Sequence, residues 1–213
     1  MTKPVFKLFW LLLCVLILEG CGERQGSQPQ GSERQEVLFY RVGDTGATVA
    51  NCDDAVEGEV VIPDEIEGLP VTAIGDIAFS RCTNLTSITI PDSVTSIGDD
   101  AFNRCSSLTS INIPNSVLSI GEWAFSDCSN LSSITINDSV TSIGPWAFDD
   151  CISLTSIAIP DSVTSIGDLA FLNCKSLTSI TIPQAFHSEA EARRLGLDEL
   201  WPDGFLLPDS SSK

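Results

Sequence analysis

Cysteine is the residue type in this chain with the widest chemistry, and five cysteines recur every 23 residues: Cys82, Cys105, Cys128, Cys151 and Cys174. A metal site needs ligands that converge from different directions, whereas an even interval in a repetitive chain places one thiol per repeat in a column. Parallel side chains in a column also approach poorly for an unstrained disulfide. The sequence therefore predicts buried free thiols that act as small apolar residues. Cys52 lies outside the series, and its pairing is left open.

Acidic residues recur as well, and a ladder of oxygen ligands could share calcium ions. They follow a proline position and a glycine position of the repeat, namely Asp92, Asp138 and Asp161, and Asp76, Asp99, Glu122 and Asp168. The glycine-rich nonapeptides of calcium-binding β-rolls are missing, and Asn115 and Pro145 interrupt the two columns. We therefore interpret the columns as a solvated acidic edge that keeps the protein soluble, and we predict no metal site.

Motifs for catalysis are absent from the sequence. It contains no phosphate-binding loop, no G-x-S-x-G and no H-E-x-x-H, and the single histidine, His187, is interpreted as a turn residue. The 11 Lys and Arg residues face 29 Asp and Glu, so the net charge is −18 and no basic stripe is available for nucleic-acid phosphates. The sequence predicts a protein without catalytic residues, cofactor or nucleic-acid partner.

The elements that position these residues are five copies of one unit, I-G-x-x-A-F-x-x-C-x-x-L-x-x-I-x-I-P-x-x-V-x-x, in residues 74–186. A fixed period of this length is typical of solenoids. The L-x-x-I-x-I segment predicts a short strand in which Ile88 and Ile90 point inward while Ser87 and Thr89 point outward. The I-G-x-x-A-F segment predicts a tight turn or a single 3₁₀ turn, with glycine needed for positive φ or close backbone approach.

Stacking the units in register would place each residue about 4.8 Å from its copy, the spacing of paired strands. The inward positions then form columns of Ile, Ala, Phe, Cys, Leu and Val, and no single coil could bury its apolar face alone. The fold class predicted is a β-rich solenoid with one parallel sheet of short strands, an N-terminal β cap and a short helical cap at the C-terminus.

The unit resembles the BspA-type leucine-rich repeat, a 23-residue class in which Ala-Phe, Cys, Leu and Ile-Pro fall as they do here. The resemblance covers residues 60–183, and residues 37–73 would hold an N-terminal cap and a first partial repeat. It implies a sheet on one side with a less regular wall on the other, and a role in binding or adhesion at the bacterial cell surface. No catalytic residue belongs to the family pattern.

Both ends of a solenoid expose apolar side chains and need covers. Residues 37–59 contain β-rich runs around Gly-Asp and Gly-Ala turns, and they predict a hairpin over the first coil. In the C-terminal cap and tail, residues 187–213, Ser188 and Glu191 form a capping box before a two-turn helix at 189–195 that Gly196 ends. Trp201, Phe205, Leu206 and Leu207 are expected to cover the last coil.

Residues 1–21 have the form of an export signal, with Lys3 and Lys7 ahead of an apolar run too short to span a bilayer comfortably. The ending LEGC resembles a bacterial lipobox, which implies that Cys21 is lipidated and becomes the mature N-terminus. The alternatives are an ordinary cleaved signal or an uncleaved anchor. Residues 22–36 are polar and predict a flexible linker. We therefore expect an exported, membrane-anchored lipoprotein at the outer membrane or cell surface.

The outward face of the strands is the candidate binding site for a protein or glycan partner at the cell surface. Its residues are Ser87, Thr89, Ser110, Asn112, Ser133, Thr135, Ser156, Ser179 and Thr181. Hydroxyl columns of this kind also resemble ice-binding solenoids, although Asn112 and Ala158 replace two of the threonines. A structural spacer without a ligand is the remaining alternative. We expect a monomer in each case.

The lipobox interpretation gives a direct prediction for Cys21. Because the thiol of this residue would carry the lipid, Cys21→Ser should abolish metabolic labelling with a radioactive fatty acid and release the protein from the membrane fraction. Cys14→Ser is the matched control and should leave both unchanged, since bulky Leu13 precedes that residue. Labelling that persists in Cys21→Ser would contradict the interpretation.

Overall fold

The computed structural model describes residues 38–52, residues 56–200 and a short strand at 205–206. Within these residues each 23-residue unit forms one coil, and consecutive coils stack in register, as Ser110 beside Ser133 and Ser142 beside Ser165 illustrate. Each coil contributes to three walls: a strand from L-x-x-I-x-I, a two-residue Ser-Ile strand, and a run of turns. The predicted β-rich solenoid is confirmed.

The first wall, called the strand wall below, consists of parallel strands from the L-x-x-I-x-I segments, with β3 (Glu57–Val61) of the N-terminal region and β15 (Phe205–Leu206) of the C-terminal region at its two ends. The strands between them are β6 (Asn84–Thr89), β8 (Ser110–Asn112), β10 (Ser133–Thr135), β12 (Ser156–Ala158) and β14 (Ser179–Thr181). β3 pairs with β6, β8 pairs with β10, and β14 pairs with both β12 and β15. Ile88 is buried and Thr89 is exposed, so the predicted inward and outward positions are correct.

A second sheet, which the sequence did not reveal, forms another wall. Its eight strands are β1 (Leu38–Val42), β2 (Ala47–Cys52), β4 (Glu65–Ile66), β5 (Leu69–Ile74), β7 (Ser96–Ile97), β9 (Ser119–Ile120), β11 (Ser142–Ile143) and β13 (Ser165–Ile166). β1 and β2 form the predicted antiparallel hairpin, and β2 pairs in parallel with β5. Parallel pairing then continues from β5 through β7, β9 and β11 to β13. Two-residue strands are too short to show alternation in sequence, which explains why one sheet was expected.

The third wall, called the turn wall, consists of residues 75–82 and their equivalents 98–105, 121–128, 144–151 and 167–174. Backbone hydrogen bonds join its coils: the N–H of Phe102 donates to the oxygen of Ala124 at 2.8 Å. Gly121 is needed for close approach, because a Cβ there would lie 2.5 Å from the carbonyl carbon of Gly98. Positive φ occurs instead at Ile77 and its equivalents. Of the two roles expected for glycine, close approach is correct here.

A column of phenylalanines runs through the core. Five rings are completely buried and stack in parallel: Phe79, Phe102, Phe125, Phe148 and Phe171. Neighbouring ring centroids lie 5.1 to 5.5 Å apart. Each inner ring therefore depends on the coil above and the coil below, which is the stacking that the repeat predicted.

The cysteine column is buried as predicted in its inner members, and the structure gives each thiol a specific partner. The Cys105 thiol donates to the carbonyl oxygen of Phe79 at 3.1 Å, and Cys128, Cys151 and Cys174 repeat this contact in the following coils. Burial raises the pKa of Cys105 to about 12. These thiols stay protonated at neutral pH and act as hydrogen-bond donors within the core.

The prediction for Cys82 was wrong, because Cys82 forms a disulfide with Cys52. Cys82 belongs to the first complete coil, and its neighbour on the N-terminal side is the cap and not another copy of the unit. Strand β2 ends at Cys52, so the hairpin brings a second sulfur to this position. The disulfide joins the N-terminal cap covalently to the repeats.

The C-terminal cap contains the predicted helix, α1 (Glu189–Leu195), between the 3₁₀ turns Gln184–Phe186 and Asp198–Leu200. The Ser188 hydroxyl accepts the N–H of Glu191 at 3.2 Å, and Gly196 ends the helix with a φ of 80°. His187 lies at the end of the first 3₁₀ turn and is half-buried. Phe205 and Leu206 form strand β15, while Trp201 and Leu207 lie outside the described residues.

Helix α1 replaces a missing coil of the turn wall. The N–H groups of Leu169 and Phe171 donate to the carbonyl oxygens of Arg194 and Leu195 at 2.8 and 3.1 Å. The Arg194 guanidinium donates to the carbonyl oxygen of Ile166 at 2.7 Å. In earlier coils the equivalent isoleucine oxygen accepts a hydrogen bond from the N–H of a glycine. The last coil therefore keeps its hydrogen bonds without another repeat.

Residues 1–37 lie outside the described residues, so the structure does not address the signal, Cys21 or the linker. None of the helices in the described part of the chain has the length and hydrophobicity that a transmembrane span requires. The same part of the chain contains no group of three or more His, Cys, Asp or Glu side chains placed to hold a metal ion.

The phenylalanine column predicts a large stability difference between two changes in the middle coil. Phe125 lies 5.2 Å from the ring of Phe102 and 5.5 Å from that of Phe148, so Phe125→Ala opens a cavity that neither neighbour can fill. We expect the free energy of unfolding to fall by about 3–5 kcal/mol. Asn130→Ser, at an exposed position of the same coil, should be nearly neutral. Denaturant titration measures both, and equal losses would contradict the inward register.

Candidate functional site

The strand wall presents two columns of outward side chains. Ser110, Ser133 and Ser156 are exposed, while Ser87 and Ser179 at the ends of the same column are half-buried. The second column contains Thr89, Asn112, Thr135, Ala158 and Thr181, all exposed except the half-buried Thr181. The parallel register places each side chain beside its copy, so the structure brings all nine predicted site residues onto one surface.

A third hydroxyl column borders these two and was not singled out in the sequence. It consists of Thr86, Thr109, Ser132, Thr155 and Thr178, all exposed. The Ser132 hydroxyl donates to the carbonyl oxygen of Thr109 at 3.1 Å, and Thr178 donates to Thr155 at 3.2 Å. The regular Thr or Ser after each leucine is the sequence signal that could have identified this column.

The hydroxyls of Ser110, Ser133 and Ser156 differ from that third column, because they have no hydrogen-bond partner among the described residues. Each hydroxyl can therefore donate one hydrogen bond and accept others from a bound molecule. Satisfying these groups requires no rearrangement of the sheet. This makes the Ser column the part of the strand wall best suited to contact a polar ligand.

The borders of the strand wall add apolar and charged groups. Val61 on β3 is 59% exposed and lies beside Thr89, which places an apolar side chain at the N-terminal end. Asp92, Asp138 and Asp161 are exposed where the chain leaves the strands. The strand wall is thus an uncharged polar strip with a carboxylate border, a composition that can bind protein or carbohydrate surfaces.

The acidic column after the glycines has a structural role that the sequence did not indicate. The carboxylate of Asp76 accepts the N–H of Asp99 at 3.0 Å, and that of Asp99 accepts the N–H of Glu122 at 2.8 Å. Pro145 has no N–H and interrupts the series. In the last coil the Asp168 carboxylate accepts from Arg194 at 3.0 Å. These carboxylates link neighbouring coils of the turn wall.

Asp149 on the turn wall differs from the exposed carboxylates, because it is buried. Its side chain is only 9% exposed, and the equivalent residue in the preceding coil is the buried Ser126. Burial and the neighbouring charge of Asp150 raise the pKa of Asp149, while a hydrogen bond from Asn173 partly offsets them. This carboxylate is a local cost to folding at neutral pH.

The three walls, the phenylalanine column and the short parallel strand of each 23-residue coil define the class of this protein as a leucine-rich repeat solenoid. The sequence profile of the BspA type leucine rich repeat region matches residues 72–190 in six copies. The chain belongs to this family. No curated protein is significantly similar in sequence.

Two solved structures of leucine-rich repeat proteins agree with this assignment in sequence and in fold. A leucine rich repeat protein from T. pallidum is 31% identical, with 72% of each chain covered and a TM-score of 0.67. A leucine-rich repeat protein from Bacteroides ovatus is 36% identical over 70% of this chain and 41% of that chain, with a TM-score of 0.66. A leucine rich cell surface protein from Faecalibacterium prausnitzii is 28% identical over 73% of this chain and 55% of that chain, with a TM-score of 0.48.

Membership of this family carries a general functional meaning. Leucine-rich repeat proteins are in general non-catalytic scaffolds for protein binding or adhesion, and BspA-type members are typically surface or secreted proteins of bacteria. The resemblance stated from the residues alone is confirmed at this level.

The buried carboxylate predicts a pH-dependent gain of stability. Because folding raises the pKa of the Asp149 carboxyl above its ordinary value of 3.8, the wild-type protein loses stability as the pH rises from 3.8 through the raised pKa of the folded state. Asp149→Asn keeps an acceptor for Asn173 and should raise the melting temperature at pH 7, with the gain vanishing near pH 3. The exposed Asp161→Asn should show no such gain. A fall in melting temperature for Asp149→Asn at pH 7 would contradict this assignment.

Proposed function

We propose that this chain is a non-catalytic lipoprotein of a bacterial envelope, held at the membrane through lipid on Cys21, whose strand wall binds a protein or glycan partner. Family membership supports the binding role, and the LEGC sequence before the polar linker supports the anchor. A domain attached in this way would present its repeats outward from the membrane surface.

The observation that carries the binding site is the free Ser column. Three exposed hydroxyls, those of Ser110, Ser133 and Ser156, face solvent on a backbone that stacking holds rigid. A ligand that spans successive coils can bond to each in turn without ordering flexible side chains, which limits the entropy lost on binding. Serine is also small, so a partner can approach the sheet closely.

Two alternatives receive less support from the geometry. Ice binding relies on an unbroken flat array, whereas Asn112 and Ala158 interrupt the outer threonine column. A spacer role makes no use of the unbonded hydroxyls that face solvent on the strand wall. A spacer would also show no saturable partner, and this separates it from the proposed function by experiment.

The proposed site predicts that charge on the strand wall blocks binding. We would use the protein as bait in an envelope extract, identify retained proteins by mass spectrometry and retained glycans on an array, and then measure affinity for what is retained. Ser110→Arg, Ser133→Arg and Ser156→Arg together should weaken binding by at least about tenfold, because a large charged side chain in each contact must be desolvated or displaced.

A matched control keeps the added charge equal. Leu118→Arg, Thr141→Arg and Thr164→Arg together add the same charge at exposed positions beside the second sheet. This variant should retain the partner, and both variants should keep the circular dichroism spectrum of the wild type. Equal weakening by the two triple variants, or none by the first, would place binding elsewhere.

A further inference from the structure

One column of the turn wall carries side chains that its backbone does not favour. The second residue after each glycine has a positive φ in all five coils: Ile77, Asp100, Trp123, Trp146 and Leu169, with φ values from 51° to 64°. This left-handed region favours Gly, Asn and Asp, and it is strained for bulky or β-branched residues. Four of these five residues are nevertheless large and apolar, so local backbone preference does not explain them.

The two tryptophans of this column form a stacked pair at the surface. The rings of Trp123 and Trp146 lie 4.8 Å apart with an interplanar angle of 5°, and both side chains are half-buried. The indole N–H of Trp123 donates to the Glu122 carboxylate at 2.8 Å, which fixes the ring orientation. The indole N–H of Trp146 has no acceptor among the described residues and can donate to a ligand.

The two outer faces of this pair have different neighbours. The column places Leu169 next to Trp146, so an apolar side chain lies beyond that ring. It places Asp100 next to Trp123, and the Asp100 carboxylate accepts a hydrogen bond from Asn103 of its own coil at 2.7 Å. Asp100 is too short to cover an indole ring. Trp146 is the ring that stacks on Trp123, and no aromatic or large apolar residue of this column stands on the other face of Trp123, which is called the open face below and has the Asp100 carboxylate at its border.

An open indole face beside a carboxylate attracts cations through the ring quadrupole and the negative charge together. The charges of the surrounding residues also favour a cation. Residues 121–128 and 144–151 contain Glu122, Asp127, Asp149 and Asp150 but no Lys or Arg. Arg104 of the preceding coil forms an ion pair with Asp127, with its Nε 3.3 Å from the carboxylate.

We propose that the turn wall carries a second binding site, at which the open face of Trp123 receives an Arg or Lys side chain from a basic segment of a partner protein. Asp100 bonds to the cation at the border of the ring, and the Trp146 indole N–H donates a hydrogen bond to a backbone carbonyl oxygen of the segment. The site lies on the turn wall and does not depend on the strand wall, so either one can bind without the other.

The chain itself supplies the conservative variants for a test. Leucine occupies the same left-handed position at Leu169, so Trp123→Leu and Trp146→Leu each place a residue that this turn already accepts. Neither change alters the net charge. Any difference between them therefore excludes the general attraction of an acidic protein for a basic peptide.

The experiment is isothermal titration of the full chain with a hexa-arginine peptide at constant salt. Trp123→Leu should weaken binding by at least about fivefold, because the cation–π contact is lost. Trp146→Leu should weaken it less, by at most about threefold, because one hydrogen bond from its indole N–H is lost while the open face of Trp123 remains. Asp100→Asn should also weaken binding, whereas Asp161→Asn removes the same charge from another surface and should not.

Three outcomes would overturn the proposal: equal effects of the two tryptophan changes, no effect of Trp123→Leu, or Trp123-dependent binding of a neutral oligosaccharide such as cellohexaose in place of the peptide. The last would assign the tryptophans to a glycan site. Thermal melts of each variant identify any loss of folding. The strand-wall triple variant keeps Trp123, so its affinity for hexa-arginine should equal that of the matched triple variant beside the second sheet, which adds the same positive charge.

Discussion

The fold depends on one constraint, the equal spacing of coils that stack backbone on backbone. At the glycine position the coils approach so closely that a Cβ at Gly144 would lie 2.5 Å from the carbonyl carbon of Gly121. This contact, the buried phenylalanine stack and the thiol-to-carbonyl bonds all demand the same 23-residue register. A coil with one residue more or fewer would lose all of them together, which accounts for a period without gaps from Ile74 to Ile166.

The same constraint determines what the ends must do. An inner coil satisfies its hydrogen bonds through its neighbours, so a terminal coil needs substitutes of equal geometry. At the C-terminal end, helix α1 presents carbonyl oxygens to Leu169 and Phe171, and Arg194 takes the place of an absent N–H. At the N-terminal end, a hairpin continues the second sheet and the Cys52–Cys82 disulfide fastens it. The caps copy hydrogen-bonding positions without copying the repeat.

Strict repetition made some features predictable and concealed others. The inward register of Phe125 and Ile88, the hairpin and the capping box at Ser188 follow from period and local signals that any single copy displays. The second sheet did not follow, because Ser142–Ile143 is too short to alternate. The disulfide at Cys82 depends on a cap that lies 30 residues away in sequence. The positive φ at Trp123 was likewise invisible, since the residues there contradict the usual glycine signal.

Repetition also separates structural from functional positions within one chain. At positions where the stacking of coils restricts the residue type, every coil has the same residue, as at the phenylalanine and glycine positions. At solvent-exposed positions the copies can diverge without loss of stability. A uniform surface column therefore has no structural cause and can simply be inherited by duplication. Divergence towards a residue that the backbone disfavours is more informative, because it has a cost that duplication does not explain. By that standard the paired tryptophans at Trp123 and Trp146 carry more functional information than the uniform serines of the strand wall.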